Sequence, residues 1–449
     1  MNIIIVGIGK IGETLVQDFV KENCNVTIID TNENIVNSLV NKYDIKGVIG
    51  SGCEREVLEN CEVSNADFFI ASTSHDELNI LCCVLAKNLG AKNTIARVRA
   101  PEYYSEIDNL KETLKLDLVF NPELEIAEEI QKILKFPSAV MVETFAKGKI
   151  ILAEYNVTKN NPIVNSSIME IIKKFKLKVL FALVKRGGKT FIPKGDFVIE
   201  EEDNIFIIAP EKEIANFTKK LNIYKQKARS VFIIGGGKVA YYLADILSKD
   251  EVSVKLIEKN AQRCEILSEE LPNVTILQGD ATDHNVLEEE DVSLSDAIVS
   301  LMGVDEENIV LSLFARSICN NKIITRIDKP ALLDIAEKIG LDTVLSPRIA
   351  ISNHILKYVR GKLGDHTSMV KSLYKIDEEI EALEFSINET FTKTNIPIKD
   401  LHIKEEVLIG GIFRNNEFIL PKGDTCLSIG DRVIIVAKEQ ILELSKIFN

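Results

Sequence analysis

The chain has 449 residues, 46% of them hydrophobic, with 54 lysines and arginines against 68 aspartates and glutamates, a net charge of −14. That length suits about three to four domains, and the acidity argues against nonspecific binding to nucleic acid or anionic lipid. Apolar runs stop well short of the ~20 residues that cross a bilayer, and Met1-Asn2 leads straight into a strand with no signal peptide, so a soluble cytoplasmic protein without direct membrane insertion is expected.

The first element reads as a buried strand, Ile3 to Val6, running into Gly7-Ile8-Gly9-Lys10-Ile11-Gly12. Gly7 permits a sharp turn, Gly9 lets a pyrophosphate approach the backbone at the positive end of a helix, and Gly12 keeps that helix against the sheet. Asp30 closes the next apolar run at the distance expected of a ribose-binding carboxylate. It would repel a 2′-phosphate, and Thr31-Asn32 supplies no arginine, which favours NAD or an unmodified adenine nucleotide over NADP. Strands near 2–6, 25–29, 46–49, 67–70, 93–98 and 117–120 with helices between them predict a doubly wound parallel sheet. Its ligand crevice lies at the carboxyl ends of the central strands, where Gly7 to Gly12, Asp30, Ser51-Gly52 and Ser72-Thr73 fall. Lys10 either reaches a phosphate oxygen or sits solvated at the helix start. Arg97 and Arg99 either contact phosphates across a subunit boundary or form surface salt bridges, and Asp76 reads as a helix N-cap.

Ala139 to Pro210 changes character, with short strands, a hairpin turn at Gly187-Gly188 and a Pro193-Lys194-Gly195-Asp196 corner, as in a small α+β module. After a polar linker, Lys225 to Arg229, the whole pattern repeats. Val231 to Ile234 runs into Gly235-Gly236-Gly237-Lys238-Val239-Ala240, and Glu258 follows Gly235 at the interval that separates Asp30 from Gly7. Gly279-Asp280 matches Gly50-Ser51, Met302-Gly303 matches Thr73-Ser74, Asp305 matches Asp76, and a second module, Met369 to Ala437, carries Asn415-Asn416 at its hairpin and ends in Pro421-Lys422-Gly423-Asp424. Arg360-Gly361-Lys362-Leu363-Gly364 reads as the linker before it. The expected domains are 1–135 and 229–363, doubly wound sheets, and 136–224 and 364–449, small α+β modules. One glycine fingerprint is weak evidence for a nucleotide; two with matched acids are strong. Lys238 repeats the choice posed by Lys10. Ser51 opposite Asp280, and Thr73 opposite Met302, imply sites that differ in ligand preference.

The eight cysteines form no CxxC pair and read as reduced and mostly buried, with Cys82-Cys83 packing on a helix face; the five histidines are scattered, so no metal site is expected. No paired acid and base faces a second cleft, so no catalytic residue is assigned and an NAD-dependent oxidoreductase stays a remote alternative.

The doubled glycine loops, the Asp-Glu-x-Asn segments at Asp76 and Asp305, the string Ile95-Ala96-Arg97-Val98-Arg99-Ala100-Pro101-Glu102-Tyr103 and the two Pro-Lys-Gly-Asp modules, each with a later acid at Asp203 or Asp431, resemble the TrkA family. Its members are cytosolic regulatory subunits of Trk potassium-uptake systems, built from tandem RCK (regulator of conductance of potassium) units, and the resemblance covers the whole chain. It implies two Rossmann-like RCK N-terminal domains, each followed by an RCK C-terminal module. It also implies NAD(H) and ATP or ADP as ligands, with Gly7, Gly9, Gly12, Gly235, Gly237 and Ala240 as phosphate loops, Asp30 and Glu258 on the ribose, and Asp280 beside the adenine. The partner implied is a TrkH-like integral membrane potassium-translocating subunit, beneath which a homotetramer forms a gating ring peripheral to the plasma membrane. A nucleotide-sensing RCK subunit of a different cation transporter or exporter is the alternative, and a further signal such as cyclic di-AMP at the modules stays open.

Overall fold

The computed structural model describes the chain except at residues 105, 342, 364–367, 377–379, 439, 442 and 449. Runs too apolar for half-exposed strands pair side by side, the central ones buried on both faces. β1 (Asn2–Val6), β2 (Asn25–Asp30), β3 (Lys46–Ile49), β4 (Phe68–Ala71), β5 (Asn93–Arg97) and β6 (Leu118–Phe120) form a six-stranded sheet in the order β3-β2-β1-β4-β5-β6. All its pairings are parallel. Val6 lies level with Ile29 and Ala71, so the carboxyl ends of β1, β2 and β4 make one rim. Each strand lies within one residue of its expected place.

The first module is a five-stranded antiparallel sheet of β7 (Met141–Phe145), β8 (Ile150–Asn156), β9 (Leu180–Arg186), β10 (Lys189–Phe191) and β11 (Asn204–Pro210), ordered β10-β9-β11-β8-β7. The second parallel sheet repeats the first: β12 (Ser230–Ile234), β13 (Ser253–Glu258), β14 (Thr275–Gln278), β15 (Ala297–Ser300), β16 (Lys322–Arg326) and β17 (Val344–Leu345), ordered β14-β13-β12-β15-β16-β17. The second module contains β18 (Ser368–Lys375), β19 (Glu381–Ile387), β20 (Val407–Arg414), β21 (Glu417–Ile419) and β22 (Arg432–Ala437), ordered β18-β19-β22-β20-β21. Both expected hairpins form. Gly187 and Gly188 have φ of +55° and +75°, Asn415 and Asn416 of +48° and +71°, the two consecutive left-handed residues that a tight two-residue turn requires. The later acids anchor those hairpins: fully buried Asp203 takes two bonds from Arg186, both 2.7 Å, and fully buried Asp431 takes two from Arg414, 2.7 and 2.8 Å. The two module sheets pack face to face through Phe145, Leu152, Leu183 and Phe206 on one side and Ala382, Ile434 and Val436 on the other.

Seven helices place the rim: α1 (Lys10–Lys21), α2 (Asp76–Asn88), α3 (Pro122–Lys135), α4 (Lys238–Lys249), α5 (Ala261–Glu270), α6 (Asp305–Ile318) and α7 (Pro347–Leu363). α3 starts where Asn121 accepts from the backbone N–H of Glu123 and Leu124, with Pro122 at the first helical position. It then crosses into the other half. Ile126, Ile130 and Ile133 share a core with Val239, Leu243 and Leu247 of α4. Reciprocally, Ile351, Ile355 and Val359 of α7 pack into the first half beside Ile5, Leu15 and Phe19. Each such side chain contributes about 1.5–3 kcal/mol by burial, so the two halves are stabilised by one another.

Residues 225–228 form neither helix nor strand, as expected of the first linker. The second differs. Arg360 to Leu363 continues α7, and Gly364 lies outside the described residues. Arg360 is 2% exposed and bound to Glu22, the residue capping the end of α1, at 2.6 Å and Glu381 of β19 at 2.5 Å, tertiary pairing that overrides the weak helix propensity of Gly361. Four of the eight cysteines are buried and four half-buried, fewer inside than the sequence suggested; Cys82 and Cys83 do pack in the core.

Candidate functional site

At each rim the chain turns through a left-handed glycine, Gly7 with φ +82° and Gly235 with φ +98°. A Cβ on Gly7 would stand 2.6 Å from the Thr73 backbone nitrogen, so the loop and the end of β4 meet at van der Waals distance only because it is glycine. Gly9 and Gly237 are the N-cap residues of α1 and α4, and a Cβ on either would meet nothing within 4 Å. Open space thus lies in front of helix-start N–H groups that have no partner within the helix, the arrangement that receives phosphate. A Cβ on Gly12 would lie 2.5 Å from the Gly7 oxygen, whereas buried Ala240 carries a methyl there. Ile8 and Val239 turn their side chains into the core and half-buried Ile11 packs against it, so what the loop offers a ligand at Ile8 is backbone.

The two acids do the same work with different lengths. Asp30 accepts from Ile8 N at 2.7 Å and Asn32 N at 2.8 Å; Glu258 accepts from Gly236 N at 2.7 Å and Asn260 N at 2.8 Å. A Cβ on residue 236 would lie 2.9 Å from the Glu258 side chain. The longer acid is therefore paired with glycine, and the shorter acid tolerates isoleucine.

Beyond β3 and β14 the chain makes matching turns. Ser51 Oγ accepts from Cys53 N at 3.3 Å, and Asp280 Oδ1 accepts from Thr282 N at 2.9 Å and Thr282 Oγ1 at 2.7 Å. The Thr282 N–H, then its hydroxyl, hold the Asp280 carboxyl below the usual range. Gly52, expected at the ligand rim, instead faces the core: a Cβ there would stand 2.6 Å from Val6 Cγ1 and 3.0 Å from Cys82 Sγ. Gly279 also abuts side chains, with Val286 Cγ1 at 2.9 Å from such a Cβ, while lining the second cleft. That cleft has a volume of 430 Å³ and is walled by Gly235, Gly237, Glu258, Asp280, Met302 and Arg326.

Two buried asparagines, whose roles the sequence did not disclose, fix the far side of each rim. Asn79 Oδ1 accepts from Thr73 N at 2.8 Å and Thr73 Oγ1 at 2.7 Å, while its Nδ2 donates to the Thr73 and Arg97 carbonyls. Asn308 makes the parallel set to Met302, Ser300 and Arg326. Only their recurrence in both halves marked them. Asp76 and Asp305 are not N-caps, since His75 and Val304 hold those positions. They accept instead from the loop after the fifth strand, Asp76 from Arg99 N and Ala100 N at 2.8 Å each, Asp305 from Asp328 N at 3.0 Å and Lys329 N at 2.8 Å.

The basic residues point between the halves. Lys10, with a side chain 65% exposed, bridges to Asp328 at 3.3 Å, and Arg326 reaches the same carboxylate at 3.1 Å. Arg97 forms no surface salt bridge among the described residues; its Nη1 donates to the Ser72 and Thr73 carbonyls at 3.4 Å, and burial, then the Arg99 charge, lowers its pKa. Lys238 is exposed at the start of α4, and its charge acts on Glu123. A separate cleft of 290 Å³ lies between the halves, with Lys10, Arg97, Glu123, Arg326, Asp328 and Arg348 on its wall, joined there by Ile11 and Val239. Burial raises Glu123 against the pull of Arg97. Nearby, Tyr242 of α4 donates to the Arg99 carbonyl at 3.0 Å and accepts from Asn121 at 2.8 Å, a link across halves that no sequence signal announced. Among the described residues no three His, Cys, Asp or Glu side chains gather as a metal site, and no helix is long and apolar enough to cross a membrane. His366 lies outside the described residues.

Two Rossmann-like units with facing glycine loops and acids, each followed by a small antiparallel module, define a tandem double-unit protein of the nucleotide-fold class. The TrkA-N domain matches residues 3–122 and 231–347, and the TrkA-C domain matches 152–222 and 394–449. The chain belongs to the TrkA family of Trk-system potassium uptake proteins. It is 32% identical over 450 residues to the Trk system potassium uptake protein TrkA homolog of Archaeoglobus fulgidus, covering 100% of both chains. It is 30% identical over 455 residues to the Trk system potassium uptake protein TrkA of Vibrio alginolyticus, covering 100% of this chain and 99% of that one. Among solved structures it is similar in fold to the GsuK channel bound to NAD, with a TM-score of 0.64 and 20% identity over 97% of this chain and 76% of that one. The GsuK structure bound to ADP matches with a TM-score of 0.53 and 18% identity over 80% of this chain and 69% of that one.

Proposed function

We propose that this chain is the nucleotide-sensing regulatory subunit of a Trk-type potassium transporter, acting from the cytoplasmic face on a TrkH-like membrane subunit, as a homotetrameric ring. The observation that carries the reading is the duplicated pairing of an open glycine loop with a carboxylate held 2.7 Å from the loop N–H, Asp30 on Ile8 and Glu258 on Gly236. NAD(H) or ATP/ADP is the ligand class. Pyrophosphate would lie on the N–H groups at Gly9 to Gly12 and Gly237 to Ala240, and ribose on Asp30 and Glu258. The base would lie toward Ser51 and Asp280, with Thr73, Arg97, Lys10 and Lys238 at the phosphate side. Domains 1–135 and 229–363 bind; modules 136–224 and 364–449 dimerise face to face and transmit.

A nucleotide gates only if it binds one arrangement of the ring more tightly than another. Phosphates arriving at the α1 start would draw Lys10 away from Asp328, loosening a bridge between halves. That coupling changes relative placement of the halves without covalent chemistry, so no reaction is assigned. Calorimetric titration of the full chain with NADH, NAD, ATP and ADP tests the reading. Tight binding with one component lost in Asp30→Ala and another in Glu258→Ala supports it; no binding of any of the four sinks it.

A further inference from the structure

The second cleft carries cations at its ribose end that the first does not. Lys259 directly follows Glu258 and lines the cleft, and half-buried Arg263, in the first turn of α5, donates from Nε to the Gly236 carbonyl at 2.9 Å. Neither side chain forms a salt bridge among the described residues; the Lys259 ammonium acts on Asp280 without contact, and the two terminal nitrogens of Arg263 bond no carboxylate there. Both oxygens of Glu258 are meanwhile occupied by the N–H groups of Gly236 and Asn260, and the absent Cβ at residue 236 lets that carboxylate fold back onto the loop. At the first site the corresponding residues are Thr31 and half-buried Ile35, which packs against the core, and no salt bridge reaches Asp30 among the described residues. Negative charge at the second ribose end, from Glu258 and Asp280, is thus balanced by Lys259 and Arg263; at the first it is not.

In this fold an arginine near the end of the second strand accommodates a phosphate on the ribose 2′ oxygen, and its charge would have to offset the repulsion from Glu258. We infer that the second site accepts an adenosine nucleotide phosphorylated at the ribose 2′ position, the chemistry of NADP(H), whereas the first site rejects it. The inference rests on the nucleotide-binding reading above and assigns Lys259 and Arg263 as its specificity determinants. The tether on Gly236 fixes the guanidinium before the ligand arrives, which limits the ordering cost of binding.

The test titrates the full chain with NADP and with NAD. Expected is one NADP per chain against two NAD, with NADP binding unchanged by Asp30→Ala. Arg263→Ala and the exposed Lys259→Ala should each weaken NADP about tenfold or more while changing NAD less than about threefold. If wild type binds NAD but not NADP, the inference is overturned and the nucleotide reading stands; if it binds neither, nor ATP, both fall. If NADP and NAD weaken equally in Lys259→Ala, the cations are general phosphate anchors and the 2′ assignment is wrong.

Discussion

The two halves lend each other a helix, yet the two exchanges are sealed by different physics. Where α7 meets α1, buried Arg360 lies between Glu22 and Glu381, Lys375 adds its charge 3.5 Å from Glu22, and Ser352 bonds Asp18. Where α3 meets α4, the seam is mainly apolar; Tyr242 links to Asn121 at the start of α3, and the charged contact is the half-exposed pair Lys135 and Asp250 at 3.3 Å, with Gln131 on the same carboxylate at 2.6 Å. Topology alone would make the seams equivalent. Their difference means that the second module, through Glu381 of β19, is wired to the helix that begins at the first glycine loop. The first module has no such buried charge on the second loop's helix among the described residues. A buried ion network is intolerant of partial loss, while an apolar seam tolerates sliding.

The largest effect that would sharpen this contrast is at Arg360. Burial opposes its charge, but Glu381 and then Glu22 raise its pKa, so the guanidinium stays protonated. Arg360→Ala leaves buried Glu381 without its cation and Glu22 with Lys375 alone at 3.5 Å, and should cost about 3–5 kcal/mol, read as a drop in denaturation midpoint. Replacing Arg360 with Met together with Glu22→Gln and Glu381→Gln should recover most of it. If the single change is silent, the seams are energetically alike and the contrast is broken.

Next comes Glu129 of α3, which lines a cavity with Met141, Glu154, Asn353 and Tyr374. Burial first, then Glu143, push its carboxyl up to about 7, against the pull of Lys132, with Glu125 adding to the rise. An acid whose folded pKa is raised contributes stability below its unfolded pKa, and loses it as pH rises toward the folded value. Between about pH 4.5 and 7 the wild type should therefore lose up to about 3 kcal/mol that Glu129→Gln keeps. Parallel melting curves of the two proteins across that window check it; matching slopes would show that the group titrates normally.

What the sequence disclosed follows from what is local. Strand positions, the glycine turns and both type I′ hairpins depend on residues within a few positions of each other, so Val6-Gly7 and Asn415-Asn416 were readable directly. The helix exchange was not, because the apolar stripe of α3 satisfies the same periodicity whichever sheet it covers. Arg360 in a Gly-Lys-Leu-Gly context reads as a linker until Glu22 and Glu381 are brought to it from distant positions. Asp76 has the composition of an N-cap, yet the loop after β5 supplies better donors. At the site the acids and loops were legible by spacing, whereas Gly52 was misplaced because a glycine that admits a ligand and one that admits Val6 look identical in sequence.

The third contrast lies between the loops themselves. Gly236→Ile should clash with the longer Glu258 and cost about 1–3 kcal/mol, and Glu258→Asp added to it should restore most of that, recreating the Ile8 and Asp30 pairing. A double-mutant cycle on denaturation free energies measures the coupling; additive losses would mean that acid length and the neighbouring residue are independent.

The smallest effect is expected at Lys135. Its pair with Asp250 is half-exposed on both sides, so solvent screens the attraction and ordering two long side chains offsets part of it. Lys135→Ala should shift stability by no more than about 0.5 kcal/mol, and raising salt should erase even that. A loss comparable to that of Arg360→Ala would instead mean that the α3 seam is also held by charge, and that both modules are wired to the opposite loop with equal stiffness.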